Sequence, residues 1–91
     1  MDIEESMVEE IRRLIVNASP DETTARPVLT CDDNQPLDEV IPFSSLIWTG
    51  TLVALEGRYK IRITRKDLEN LTPPLSLRQI AGLVSDLENR T

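Results

Sequence analysis

Histidine is missing from this 91-residue chain, and its absence removes whole classes of chemistry. Without an imidazole there is no Ser–His or Cys–His pair, no histidine general base and no histidine metal ligand. Cysteine is almost missing too. Cys31 stands alone, so no internal disulfide and no Cys-based metal site can form, a usage that agrees with a reducing cytoplasm. A Ser–Lys arrangement would have to use Lys60 or Lys66, and both lie in a basic stretch expected to be exposed. No apolar run approaches the ~20 residues needed to cross a bilayer, so stable membrane insertion is not expected. The start, MDIEESMVEE, is acidic where secretory and transit peptides are basic, so a cytoplasmic location is expected. A chain of this size makes one domain, here 1–91, and buries only about 60% of the surface exposed on unfolding. It also has little room to enclose a pocket of ~300 Å³. An enzyme working alone is therefore not the expectation.

Charge is present but uneven. The net charge is −6. Residues 1–43 carry eleven carboxylates against three arginines, and residues 44–91 five against seven cations. The acidic half argues against general nucleic-acid binding.

In the first segment Ile3, Met7, Ile11, Leu14 and Ile15 recur at helical spacing and form one apolar stripe. Glu4, Glu5, Glu9, Arg12 and Arg13 take the opposite face, acids early and arginines late, as a helix dipole prefers. Asn17 and Pro20 mark the helix end. Residues 17–43 form a long connection in which Pro20, Pro27, Pro36 and Pro42 exclude a long helix. Its apolar anchors, Val28-Leu29 and Leu37 to Ile41, lay it over the core.

A second helix is expected from Ser44 or Ser45 to about Tyr59. Leu52, Leu55 and Tyr59 make one stripe with Ala54 beside it, while Leu46, Ile47, Trp48 and Val53 lie on other faces. Not all of these can turn inward, so an exposed apolar patch follows. Ile61-Arg62-Ile63 alternates like a strand but has no partner, which leaves an extended linker. Thr64 with Asp67 forms a capping pair for a short helix, and Pro73-Pro74 terminates what precedes. Ser76-Leu77-Arg78-Gln79 is a capping box for a last helix whose Leu77, Ile80, Val84 and Leu87 share a face. The expected fold is all-α: a small four-helix bundle of three principal helices and one short one, with a long first loop.

The stretch Leu37 to Leu71, LDEVIPFSSLIWTGTLVALEGRYKIRITRKDLENL, resembles the modification-site region of acyl carrier proteins. That family places an apolar turn before a Ser-Leu dipeptide that opens a helix, and follows it with an Ile-rich linker and a short helix. Ser45-Leu46 takes the dipeptide position, Leu55-Glu56 and Tyr59 the helix end, and Ile61 and Ile63 the linker. The flanking helices have the family's order and lengths over the whole chain. The family usually holds Asp before the modified serine, where Ser44 stands here. Its second helix is rich in acids, where this one holds Ile47, Gly50, Gly57 and Arg58 and keeps only Glu56.

The resemblance implies a phosphopantetheine arm on Ser45, attached by a phosphopantetheinyl transferase and loaded by acyl-loading and acyl-transfer enzymes. A phosphodiester suits a helix N-terminus, where unpaired amides and the dipole favour negative charge. The acyl chain is expected between helices lined by Leu52, Leu55, Ile63, Ile80 and Val84, with Ala54 and Ala81 leaving room. Partners are expected to dock on Leu46, Trp48, Thr49, Val53 and Glu56. Acids are few there, so the implied carrier is a specialised monomer serving a dedicated lipid, lipopolysaccharide or secondary-metabolite pathway. Three other readings stand beside it. Ser45 can be only a helix cap. The chain can be an unmodified carrier homologue that acts as a helical adaptor through Leu46, Trp48 and Val53. A hydrolase with Ser45 as nucleophile lacks its base. The cluster Arg58, Lys60, Arg62, Arg65 and Lys66 reads as a solvated linker or as attraction to an acidic partner. Asp32-Asp33-Asn34 lacks the Gly and Glu of a calcium loop, and Cys31 reads as an inert, partly buried thiol.

Overall fold

A computed structural model describes residues 3–71 and 74–90. The side chains of Ile3 and Glu4, and all of Pro73, fall outside the described part, so their expected roles are not addressed. Helix α1 runs Ile3–Ala18, and α4 runs Ser45–Tyr59. The short α5 is Arg65–Glu69, and α6 is Leu77–Arg90. The connection after α1 holds α2 (Glu22–Ala25), a 3₁₀ turn (Arg26–Leu29) and α3 (Leu37–Val40). The fold is a small all-α bundle, with no strand among the described residues. Ile61-Arg62-Ile63 is the expected extended linker. No helix among the described residues is long and apolar enough to cross a membrane.

α6 forms as its pattern requires. Ser76 Oγ accepts from the Gln79 amide at 3.3 Å, and Gln79 Oε1 accepts from the Ser76 amide at 3.1 Å. This reciprocal box satisfies two orphan donors of the first turn. Leu77, Ile80, Ala81, Val84 and Leu87 are then buried along one face. α5 starts on a second box, in which Thr64 Oγ1 accepts from the Asp67 amide and Asp67 Oδ2 accepts from the Thr64 amide.

α1 packs against α4 and α6 through Met7, Val8, Ile11 and Ile15. Arg12 departs from the expected polar face, because it is buried rather than solvated. Its Nη1 donates to the carbonyls of Val28 at 2.7 Å and Cys31 at 2.8 Å. Nε lies 3.2 Å from Glu9 Oε1, an ion pair without hydrogen-bond alignment. The crossover has few regular hydrogen bonds of its own, and this guanidinium satisfies two of its carbonyls at once. Val28, Leu37 and Ile41 are buried anchors, as expected, but Leu29 points outward at 40% exposure. The 3₁₀ turn directs one of two adjacent side chains inward, so Val28 and Leu29 cannot both be anchors. At the far end of the crossover Arg78 closes the loop. Its amide donates to Asp33 O, and its Nη2 reaches Asp33 Oδ2 at 2.5 Å.

The inward stripe of α4 differs from the expected one. Ile47, Thr51 and Leu55 are buried, while Leu52 and Tyr59 are half-buried. Apolar residues nearly encircle this helix, so its periodicity does not select a face, and packing against α1 does. Thr51 occupies a core position because its Oγ1 donates to Ile47 O at 2.8 Å, which removes the penalty of a buried hydroxyl. Gly50 meets the end of α1, where a Cβ would come within 3.2 Å of Ala18 Cβ. α4 ends at Lys60, whose φ of 55° places a non-glycine residue in the left-handed C-cap.

Candidate functional site

The site forms around the first turn of α4. Ser44 is extended and caps the helix, its Oγ accepting from the Ile47 amide at 3.3 Å. The cap is therefore Ser44, and Ser45 is the first residue of the helix proper. Ser45 is exposed, and its hydroxyl has no hydrogen-bond partner among the described residues. The amides of Ser45 and Leu46 point out of the helix start without intrahelical acceptors. Phe43, just before the cap, packs on Trp48 with ring centroids 5.8 Å apart and planes tilted by 52°. This is a hydrophobic staple, and it sets the angle at which the chain enters α4.

One wall of an apolar groove rises beside this turn. The groove has a volume of about 290 Å³, and Pro20, Ala25, Ile41, Pro42 and Ile47 supply its apolar surface. Ser19, Asp21, Thr24 and Ser44 line it as well. The Asp21 carboxyl lies below the usual carboxylate range, first because Thr24 donates to it and then because the Thr23 amide does. A smaller groove of about 180 Å³ is lined by Trp48, Leu68, Leu71 and Leu75.

The residues expected to line an acyl pocket do not surround the groove at the serine. Leu55, Ile80 and Val84 have no exposed surface, and Leu52 and Ile63 are half-buried around them. Ala81 is also core, at 2% exposure. The residues expected to dock partners divide into two groups. Leu46 at 70% exposure, Thr49 and Val53 at 63% line the outer face of α4. Trp48 is half-buried in the staple. Glu56 Oε2 accepts from the Ile63 amide at 2.9 Å, so this acid holds the linker against α4. The outer face of α4, made of Ser45, Leu46, Thr49, Val53, Gly57 and Arg58, therefore exposes no carboxylate.

The five cations of the basic stretch are exposed but not uniformly solvated. Arg58 Nε meets Glu10 Oε1 of α1 at 2.6 Å, and Arg65 lies 3.7 Å from Glu69. Lys60, Arg62 and Lys66 have no ion-pair partner among the described residues. Cys31 is partly buried, with its Sγ 3.6 Å from Arg12 Nη1. The residues that sequence reasoning missed are the groove formers Ser19 to Ala25 and Ile41-Pro42. The prolines and the Ile41 anchor of this connection were legible, but nothing local shows that its two ends meet in one groove.

No protein-family model, no curated protein and no solved structure matches this chain.

Proposed function

We propose that this protein is a cytoplasmic, monomeric carrier of the acyl carrier type, modified on Ser45 with phosphopantetheine, and not itself an enzyme. The observation that carries this reading is the division of labour between two adjacent serines. Ser44 is committed to capping α4, while Ser45 presents an unengaged hydroxyl at the start of a 15-residue helix. The residues fit a phosphodiester. Unpaired first-turn amides and the positive end of the helix dipole favour its negative charge, and no residue on the exposed face of α4 opposes it.

Attachment from coenzyme A forms a bond between Ser45 Oγ and phosphorus. It breaks the pyrophosphate linkage with loss of adenosine bisphosphate and releases the serine proton. The bound group supplies a terminal thiol that holds an acyl cargo as a thioester. The protein itself supplies three things: a rigid helix start, a serine held clear of competing hydrogen bonds, and a face on which enzymes can dock. That face is formed by Leu46, Thr49 and Val53, and its lack of free acids favours dedicated partners in a specialised lipid, lipopolysaccharide or secondary-metabolite pathway.

Intact-protein mass spectrometry after incubation with coenzyme A and a broad-specificity phosphopantetheinyl transferase tests the reading. The expected result is a gain of one phosphopantetheine that Ser45→Ala abolishes and Ser44→Ala retains. No gain with several transferases would overturn it. The favoured reading would then be an unmodified helical adaptor, supported by the exposure of Leu46 and Val53 on one face.

A further inference from the structure

We infer that the C-terminal end of α4 and the linker after it form a docking surface for an acidic, amphipathic segment of a partner protein. The surface is made of Val53, Lys60, Arg62 and Lys66, and its use does not depend on modification of Ser45.

The first observation is an uncompensated positive charge. Arg58, Lys60, Arg62, Arg65 and Lys66 follow one another closely, and the carboxylates around them are engaged. Glu10 pairs with Arg58, and Glu69 with Arg65. Glu56 accepts from the Ile63 amide, and Asp67 accepts from the Thr64 amide and hydroxyl. Lys60, Arg62 and Lys66 remain exposed, with no ion-pair partner among the described residues. In the extended linker Ile61 is buried and Ile63 half-buried, so Arg62 between them turns outward. The Cα atoms of Lys60 and Arg62 are at most ~7 Å apart, within a Debye length of about 8 Å at physiological salt. Their charges therefore act together on a bound group.

The second observation is the backbone at Lys60. Its φ of 55° places it in the left-handed cap, where glycine carries no side-chain strain. A lysine is not the residue that this conformation favours. The third observation is apolar. Val53, at 63% exposure, stands two helical turns before Lys60 on the same stripe of α4. Gly57 lies between them, exposed, with nothing within 4 Å of where a Cβ would stand. The backbone there is open to close approach by another chain.

The charge of the whole molecule selects the partner. The net charge is −6, with the excess of carboxylates in residues 1–43. An extended polyanion, whether nucleic acid or an anionic bilayer, would face those acids as well as the cations. A short segment meets only the local cations, because more distant charges are screened. Its carboxylates complement Lys60, Arg62 and Lys66, and an apolar side chain among them covers Val53.

The test uses a fluorescein-labelled helical peptide of leucine and glutamate, and the same peptide with lysine in place of glutamate. Anisotropy with the full-length protein is expected to show binding of the glutamate peptide alone, weakening as salt rises. Arg62→Glu combined with Lys66→Glu should weaken it about tenfold, because two attractions become repulsions. Lys60→Gly is the sharper variant. It should bind more weakly while unfolding at a higher temperature, so the lost binding does not come from lost folding. Ser45→Ala should bind as wild type does, so failure of the phosphopantetheine reading leaves this result standing. No binding of the glutamate peptide, equal binding of the lysine peptide, or unchanged affinity in the charge variants would overturn the inference. Tighter binding to phosphatidylglycerol vesicles or to duplex DNA would overturn it in favour of a membrane or a nucleic acid. Self-association in sedimentation that the charge variants abolish would overturn it in favour of a second copy.

Discussion

Phe43 and Trp48 are stapled across the N-cap of α4, their rings 5.8 Å apart, and this contact anchors the segment that presents Ser45. Trp48 is thus a packing residue at the site as well as a candidate docking residue. Truncation to Ala should lower stability by about 2 kcal/mol, below the range for fully buried aromatics because the side chain is only partly buried. A double-mutant cycle with Phe43→Ala should give a coupling of about 1 kcal/mol, measured by denaturant unfolding. Zero coupling would show that the staple is not formed in solution.

Arg12 is the second place where a single substitution should be costly. Arg12→Ala removes the guanidinium from the carbonyls of Val28 and Cys31, leaving Val28 O only the weak Cys31 thiol at 3.6 Å, and unsatisfied buried groups cost about 1–3 kcal/mol. In a chain of this length, 1 kcal/mol shifts the thermal midpoint by about 4–8 °C. Thermal unfolding of Arg12→Ala should therefore fall well below wild type, while Arg13→Ala, on the exposed face, should change little.

Two substitutions should stabilise. A Cβ at Gly82 meets nothing within 4 Å, and the position is interior to α6 and exposed. Gly82→Ala should add about 1 kcal/mol. Lys60→Gly should also raise the thermal midpoint, because glycine takes the left-handed C-cap without the strain that a side chain carries there. Destabilisation by either would contradict the described helix geometry.

Stability should fall in acid partly through Asp33. The hydrogen bond from Arg78, with its charge, holds the Asp33 carboxyl below its ordinary value in the folded state. A depressed folded value means that the stabilisation is present above the unfolded carboxylate range and is lost as pH falls through the folded value. Asp33→Asn should therefore flatten the acid limb of the stability profile and lower stability slightly at neutral pH, where the wild-type contribution is fully present. The effect should be small and sensitive to salt, because the pair is partly exposed.

On the outer face of α4, Val53→Glu should leave stability within about 0.5 kcal/mol of wild type, because the side chain is largely solvent-exposed. The same change should slow modification of Ser45 by a transferase that docks there, which steady-state kinetics would report as a raised KM. An unchanged KM would place docking elsewhere.

Sequence alone was most informative where the determinants are local. The boxes at Thr64–Asp67 and Ser76–Gln79 each lie within one helical turn, and the apolar stripe of α6 has a polar back that leaves one solution. Arg12 was misread because its acceptors lie sixteen and nineteen residues away, and nothing near it in sequence distinguishes a clamp from a solvated arginine. The inward face of α4 was misread for the opposite reason. With apolar residues around most of its circumference, Ile47–Thr51–Leu55 and Leu52–Leu55–Tyr59 are nearly equivalent until α1 is placed against it. The groove beside Ser45 is assembled from the end of α1, α2 and the turn before α4, so no single stretch of sequence carries its pattern.

The approach of Gly50 to Ala18 also constrains how this chain can diverge. A Cβ at position 50 would already stand 3.2 Å from the Ala18 methyl, so the two positions share one small volume. Enlarging either residue in a descendant sequence would have to be matched by keeping the other at its minimum, or else α1 would be levered away from α4. Such a tilt would move the wall that Ser19 and Pro20 contribute to the groove beside Ser44. Size at positions 18 and 50 should therefore vary in opposite senses among descendants.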